Sequence, residues 1–202
     1  MKTILTLIIA AMALVSPCAA QSPRGSYEQY SRSRRHWPSY YVTDWDVYFD
    51  GQKINGASAS SFRILDDGYA RDDWNVYYFG KKLSGAFADS FKVLGFGYAK
   101  DDWNVYFDGL KIKNAFANSF SVLGDWYAKD DVSVYFAGKK IDGAMSNNFT
   151  VLGDGYAKND WDVYFDGRKL RGATAASFRL GRDGYARDDW NIYYWGEKIN
   201  NR

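Results

Sequence analysis

Cysteine, histidine and proline are nearly missing from this chain: Cys18 and His36 stand alone, and only three prolines occur in 202 residues. Cys18 lies in the leader, so the remainder has no thiol. Disulfides and thiolate metal sites are thereby excluded, although an exported chain could use them. A lone histidine leaves little room for a Ser-His-Asp arrangement, since His36 would have to fold back onto the rest of the protein. An excess of either charge is missing as well. The formal charge of +2 argues against a general nucleic-acid binder, whose domain is usually strongly basic. The only long apolar run, Ile4 to Val15, is too short for a comfortable transmembrane helix, so no span is expected in the mature chain.

That run follows Lys2 and ends in Ser16-Pro17-Cys18-Ala19-Ala20, the plan of a secretory signal peptide over residues 1–20. The expectation is an exported protein, periplasmic or secreted and possible to hold at the envelope. A lipoprotein modified at Cys18 is the alternative, against which Pro17 stands where a small residue is wanted. Residues 21–39 hold Arg24, Arg32, Arg34, Arg35 and His36 against the single acid Glu28, with serines between. No helical or strand period shows there. This reads as a basic flexible linker, either a solvated spacer or a tether that touches anionic surfaces.

What the chain has in abundance is aromatic residues, 19% of the whole, and they recur on a fixed step. Trp45, Trp74, Trp103, Val132, Trp161 and Trp190 are 29 residues apart, and so are Gly51, Gly80, Gly109, Gly138, Gly167 and Gly196. Phe62, Phe91, Phe120, Phe149 and Phe178 keep the same step. Residues 40–202 are therefore a tandem array of five full repeats and a partial sixth. Within each unit, strand-like runs of three to five residues alternate with turn residues, and Asp108-Gly109 between Tyr106-Phe107 and Leu110-Lys111 is a hairpin signal. The expected fold is all-β, with antiparallel hairpin repeats forming an elongated array. A small β-propeller is the runner-up, but 29 residues is compact for a four-stranded blade, and six hairpin phrases against five Phe segments do not match a closed ring.

A two-residue loop at Asp50-Gly51 sets Phe49 opposite Gln52 and Tyr48 opposite Lys53. Alternation then predicts a core face of Trp45, Val47, Phe49 and Ile54, and an opposite face carrying Tyr and Lys. Tyr48, Tyr77, Tyr106, Tyr135, Tyr164 and Tyr193 pair in this way with Lys53, Lys82, Lys111, Lys140, Lys169 and Lys198 in all six copies.

The phrase Tyr98-Ala-Lys-Asp-Asp-Trp-Asn-Val-Tyr-Phe-Asp-Gly109 followed by Lys111-Ile112 resembles the DKNYY repeat family of bacterial envelope proteins. The resemblance covers nearly all of residues 40–202. Asp-Trp stands where that family commonly has Lys-Asn, and this departure suggests a heavier local aromatic core. Export and a repeated β unit are what the resemblance implies. It brings no catalytic residues.

An active site is used once, so residues present in every unit are structural first. Asp44, Asp73, Asp102, Asp131, Asp160 and Asp189 precede the Trp position and suit turn hydrogen bonds. Calcium is the sharper reading of those acids, but no unit has the spaced Asp-x-Asp-x-Asp-Gly loop, so no metal and no cofactor are expected. The chain is read as a non-enzymatic binding module whose partner is an envelope protein or a surface glycan. Its candidate surface is the Tyr/Lys face, with Phe79, Trp126 and Trp195 as outward rings that depart from the repeat. A glycan-processing enzyme with Asp carboxylates meeting between repeats and a passive spacer are the alternatives.

Overall fold

The computed structural model describes residues 39–199, so the signal peptide and nearly all of the basic linker lie outside the described residues. The described chain is strand and turn, with one short 3-10 segment at Ala59–Ser61. It forms six small antiparallel sheets in tandem, the first of three strands and the other five of four. Within each sheet the strands follow chain order. The unit Lys92–Gly95, Tyr98–Lys100, Val105–Phe107, Leu110–Lys111 is representative.

Local chemistry accounts for the strand ends. Asp108 and Gly109 have φ of 46° and 72°, the paired positive values of the tight hairpin turn whose twist matches its flanking strands. The register is the expected one: Tyr48 faces Lys53 and Phe49 faces Gln52, and Tyr106 faces Lys111 in the same way.

The two-face expectation is corrected. Tyr77, Tyr106, Tyr135, Tyr164 and Tyr193 are each only 1% exposed. Both faces of every inner sheet are covered because the sheets stack. One cluster joins Tyr98, Val105 and Ile112 of one sheet to Ala128 and Tyr135 of the next, with Phe120 of the linking segment between them. The Phe120 ring stands 5.5 Å from Tyr98 and 5.5 Å from Tyr135. A face that is polar-looking in one unit is thus the roof of the core beneath its predecessor.

The tryptophans are corrected in the opposite sense. Trp45, Trp74, Trp103, Trp161 and Trp190 are 73–86% exposed, not core. The strand begins only at Val76 or its equivalents, and Trp74 sits in the preceding bend, so alternation does not carry back through the turn. Val132, which holds this position in the fourth unit, is likewise exposed, at 63%.

Between units the contact is specific. The Tyr98 hydroxyl donates to the Trp126 carbonyl (2.9 Å) and accepts from the Gly138 N–H (3.0 Å), both in the following repeat. Tyr40, Tyr69, Tyr127 and Tyr156 make the same pair of bonds to Gly68 and Gly80, Gly97 and Gly109, Gly155 and Gly167, and Gly184 and Gly196. Burial pushes the Tyr40 phenol up to about 12, so this hydroxyl stays protonated and keeps donating. Glycine is required at the receiving turn: a Cβ on Gly138 would stand 2.6 Å from the Phe107 side chain of the preceding unit.

Gly143 has the same φ of +73° as Gly138 but open space around it. Gly143→Ala should therefore cost about 1–2 kcal/mol of backbone strain alone, and Gly138→Ala a further ~1–3 kcal/mol of overpacking. Urea denaturation of the two variants checks this; equal midpoints would contradict the stacked contact.

Candidate functional site

Three of the exposed tryptophans, Trp74, Trp103 and Trp190, are held out by an aspartate turn. Asp101 accepts from the N–H groups of Trp103 (2.8 Å) and Asn104 (2.7 Å) through Oδ1. Its Oδ2 accepts from the Phe87 N–H of the preceding linking segment (3.1 Å) and from the Tyr106 hydroxyl (3.0 Å). The carboxylate is 2% exposed and has a donor on each side. Burial raises its pKa, but the N–H donors of Phe87 and Trp103 and the amide of Asn104 outweigh burial and hold the carboxyl below its ordinary value. Asp72, Asp130 and Asp188 are built the same way and shifted in the same direction. Their partner tyrosines move the other way: burial first, then the neighbouring carboxylate, pushes Tyr135 and Tyr193 up to about 12.

These acids lie one residue before those singled out from sequence. Asp73, Asp102, Asp131, Asp160 and Asp189 are exposed, and in four of these the backbone N–H is held by a serine hydroxyl of the linking segment, as Asp102 is by Ser90 at 3.2 Å. The signal for the buried acids was in the sequence as a compensating pair. Asp72, Asp101, Asp130 and Asp188 are followed three residues on by Asn or Ser, whereas Thr43 and Asn159 are followed by Asp46 and Asp162. One carboxylate is thus supplied to each tyrosine from one position or the other. From the second position it reaches the lysine as well: Asp46 pairs with Lys53 and Asp162 with Lys169, each at 2.6 Å. At Asn159 the side-chain Nδ2 is buried without a hydrogen-bond partner.

The sequence-derived candidates are thus dispersed. Tyr77, Tyr106, Tyr135, Tyr164 and Tyr193 are buried structural groups and cannot contact a ligand. Tyr48 is half-buried, since no described sheet precedes it. Lys53, Lys82, Lys111, Lys140, Lys169 and Lys198 are all exposed. Phe79 and Trp195 are exposed, at 37% and 41%, and each also rests against rings of its own and the preceding layer. Phe79 stands edge-on to Phe49 at 5.8 Å and to Tyr78 at 4.7 Å, and Trp195 to Phe165 at 6.4 Å. Trp126 is partly buried against Phe96 at 5.9 Å.

Sequence reasoning missed the surface that the turns build. Trp45, Trp74, Trp103, Trp161 and Trp190 stand out from five of the six layers, and Val132 takes the position in the fourth. Beside three equivalent turns, those of Trp103, Val132 and Trp161, stands a second exposed apolar residue of the neighbouring segment, and in the first two its N–H meets the buried acid. Phe87 (54% exposed) adjoins the Trp103 turn and Phe116 (57%) the Val132 turn. Met145 holds the equivalent place in the next layer and is 60% exposed. Exposed Asp102, Asp131 and Asp160 immediately precede Trp103, Val132 and Trp161 in the chain. Among the described residues no group of three or more His, Cys, Asp or Glu is placed to hold a metal ion.

A family model described as the DKNYY family matches residues 40–152 and, overlapping, 69–197. No curated protein matches the chain, and no solved structure matches it.

The depressed acids contribute stability that is complete above the ordinary carboxyl value of about 4 and is lost as pH falls through their lower folded values. Unfolding followed by circular dichroism should show that acid limb, and Asp101→Asn should lower stability by ~1–3 kcal/mol at neutral pH and flatten it. The reverse exchange, Asn159→Asp with Asp162→Asn, should stabilise by about 1 kcal/mol because it restores an acceptor between two layers. A loss of stability in thermal melts would count against that reading.

Proposed function

The chain belongs to the DKNYY family, and we propose that it is a non-enzymatic, exported interaction module that engages a surface glycan along the ridge of exposed tryptophans. The observation that carries this reading is the exposure of five tryptophans at the same turn in five of the six layers, with Val132 in the fourth. An indole left in water in five of the six layers adds nothing to the core. It is nevertheless positioned firmly, because the side chain two residues earlier accepts from its backbone N–H: a buried aspartate at Trp74, Trp103 and Trp190, Asn159 at Trp161 and Thr43 at Trp45. A flat ring repeated at the same turn of five layers suits a polymer of ring-shaped units, whose apolar C–H faces stack on indole while the exposed carboxylates accept from hydroxyls. Asp73, Asp102, Asp131 and Asp160 beside the ridge repel an anionic polymer, so the ligand class is a neutral or amine-bearing glycan. Residues present in equivalent form in every layer support binding rather than catalysis, which needs one particular site.

A second reading has its own support. Phe87, Phe116 and Met145 make the middle layers more apolar than the ends, as a docking envelope protein would require.

Quenching of tryptophan fluorescence by isolated neutral polysaccharide separates these. Trp74→Ala with Trp103→Ala should lose most of the binding while changing stability by no more than about 0.5 kcal/mol per site, as at other exposed positions. Unaltered binding in that variant would remove the ridge from the proposal. Loss of protein capture with Phe116→Ser and no glycan effect would favour the envelope protein.

A further inference from the structure

The two ends of the stack are complementary halves of the junction that the chain builds internally between its own layers. In an inner sheet the forward face is closed: Tyr98 and Val105 are 0% exposed and Ile112 is 8%. On the last sheet the equivalent Tyr185, Ile192 and Ile199 are 48%, 39% and 37% exposed. Tyr194, which stands where Phe107 covers the next turn glycine, is 43% exposed. The Tyr185 hydroxyl occupies the place from which five other tyrosines bond to a following hairpin.

The first sheet offers such a hairpin, already formed. Asp50 N–H donates to the Ser39 carbonyl at 3.1 Å, as Asp108 N–H donates to Gly97 and Asp166 N–H to Gly155 at 3.0 Å. At the inner turns that carbonyl and the N–H of the following glycine are the two partners of the tyrosine hydroxyl. Gly51 is the corresponding glycine here, and a Cβ on it would meet nothing, whereas the equivalent glycines are each covered by a ring of the preceding layer.

The remaining requirement is the ring that fills each inner junction. There Phe120 lies 5.5 Å from Tyr135. On the first sheet Tyr41 takes the position that is alanine in the inner layers, and its ring lies 6.4 Å from that of Tyr48. Tyr41 is 65% exposed. It therefore brings to the starting face an aromatic ring that inside the array comes from the linking segment.

We propose that these two faces bind each other between copies of the chain, so that Tyr185, Ile192 and Tyr194 of one molecule pack on Tyr41, Tyr48 and Gly51 of the next. Tyr185 then donates to the Ser39 carbonyl and accepts from the Gly51 N–H. The contact is head-to-tail. It does not close on itself, so it extends the layers, and with them the tryptophan ridge, from one molecule into the next. The proposal rests on the end faces alone and is independent of what the ridge binds.

Sedimentation velocity of the full exported chain over a wide concentration range tests it. The expected result is a mass that grows with concentration past the dimer. Ile192→Asp blocks one face and Gly51→Asn the other, asparagine being the residue that best tolerates positive φ while adding the Cβ. Each variant alone should associate about tenfold more weakly or less still, with its melting temperature retained. Mixed together they should give a one-to-one dimer and nothing larger, because each keeps the face that the other lacks. Should Gly51→Asn fail to fold, Tyr41→Asp at an exposed ring replaces it. A wild-type chain that stays monomeric, a mass that stops at the dimer, or variants that assemble as the wild type does would each overturn the proposal.

Discussion

Everything in this array depends on a phenol oxygen that bonds to the backbone of the next repeat. Tyr40, Tyr69, Tyr98, Tyr127 and Tyr156 each place a hydroxyl between a carbonyl and a glycine N–H 28 and 40 residues further on. A strand of three residues cannot hold a neighbouring sheet in register by apolar contact alone, because such contact has no direction. The hydroxyl supplies direction. Its bonds satisfy groups at a hairpin turn that the stack removes from water, where leaving them unpaired would cost roughly 1–3 kcal/mol each. The ring attached to it fills the layer beneath, so one side chain provides both adhesion and alignment.

The second tyrosine of each unit works within its own layer. Tyr106 bonds to Asp101, and Asp101 also receives the N–H groups that shape the turn ahead of the strand. The carboxylate thus connects three things: the core tyrosine, the preceding linking segment through Phe87, and the backbone from which Trp103 projects. The projection of the indole is a consequence of this. Because the aspartate binds the tryptophan N–H, the chain bends outward there, and the side chain leaves the core that its hydrophobicity would otherwise favour. Where Thr43 or Asn159 replaces the acid, Asp46 and Asp162 restore the negative charge three residues on, and the lysine becomes part of the arrangement.

The open ends follow from the same construction. Each layer completes the one before it, so a stack of any length leaves one donating face and one accepting face. Inside the chain the donating face is fully covered, and at Tyr185 it is not. This is the ordinary condition of arrays built by translation, in which each unit touches only its neighbours. It also distinguishes the molecule from a ring of blades, where the first and last faces would cover each other.

The all-β class, the 29-residue repeat, the hairpin at each Asp-Gly or equivalent pair and the pairing of Tyr106 with Lys111 could all be read from residue order. They are local matters of period and of turn residues that accept positive φ. Which faces meet water was decided by the tertiary structure. Alternation along a strand says that Tyr106 and Phe107 point to opposite sides, but it does not say that both sides are covered, and stacking buries Tyr106 as fully as Val105. Nor does alternation survive a turn, so Trp103, which looks like the first core residue of its strand, ends in solvent. The bonds from Tyr98 to residues of the following repeat span a distance along the chain that no local pattern reports, and only the folded stack brings those atoms together.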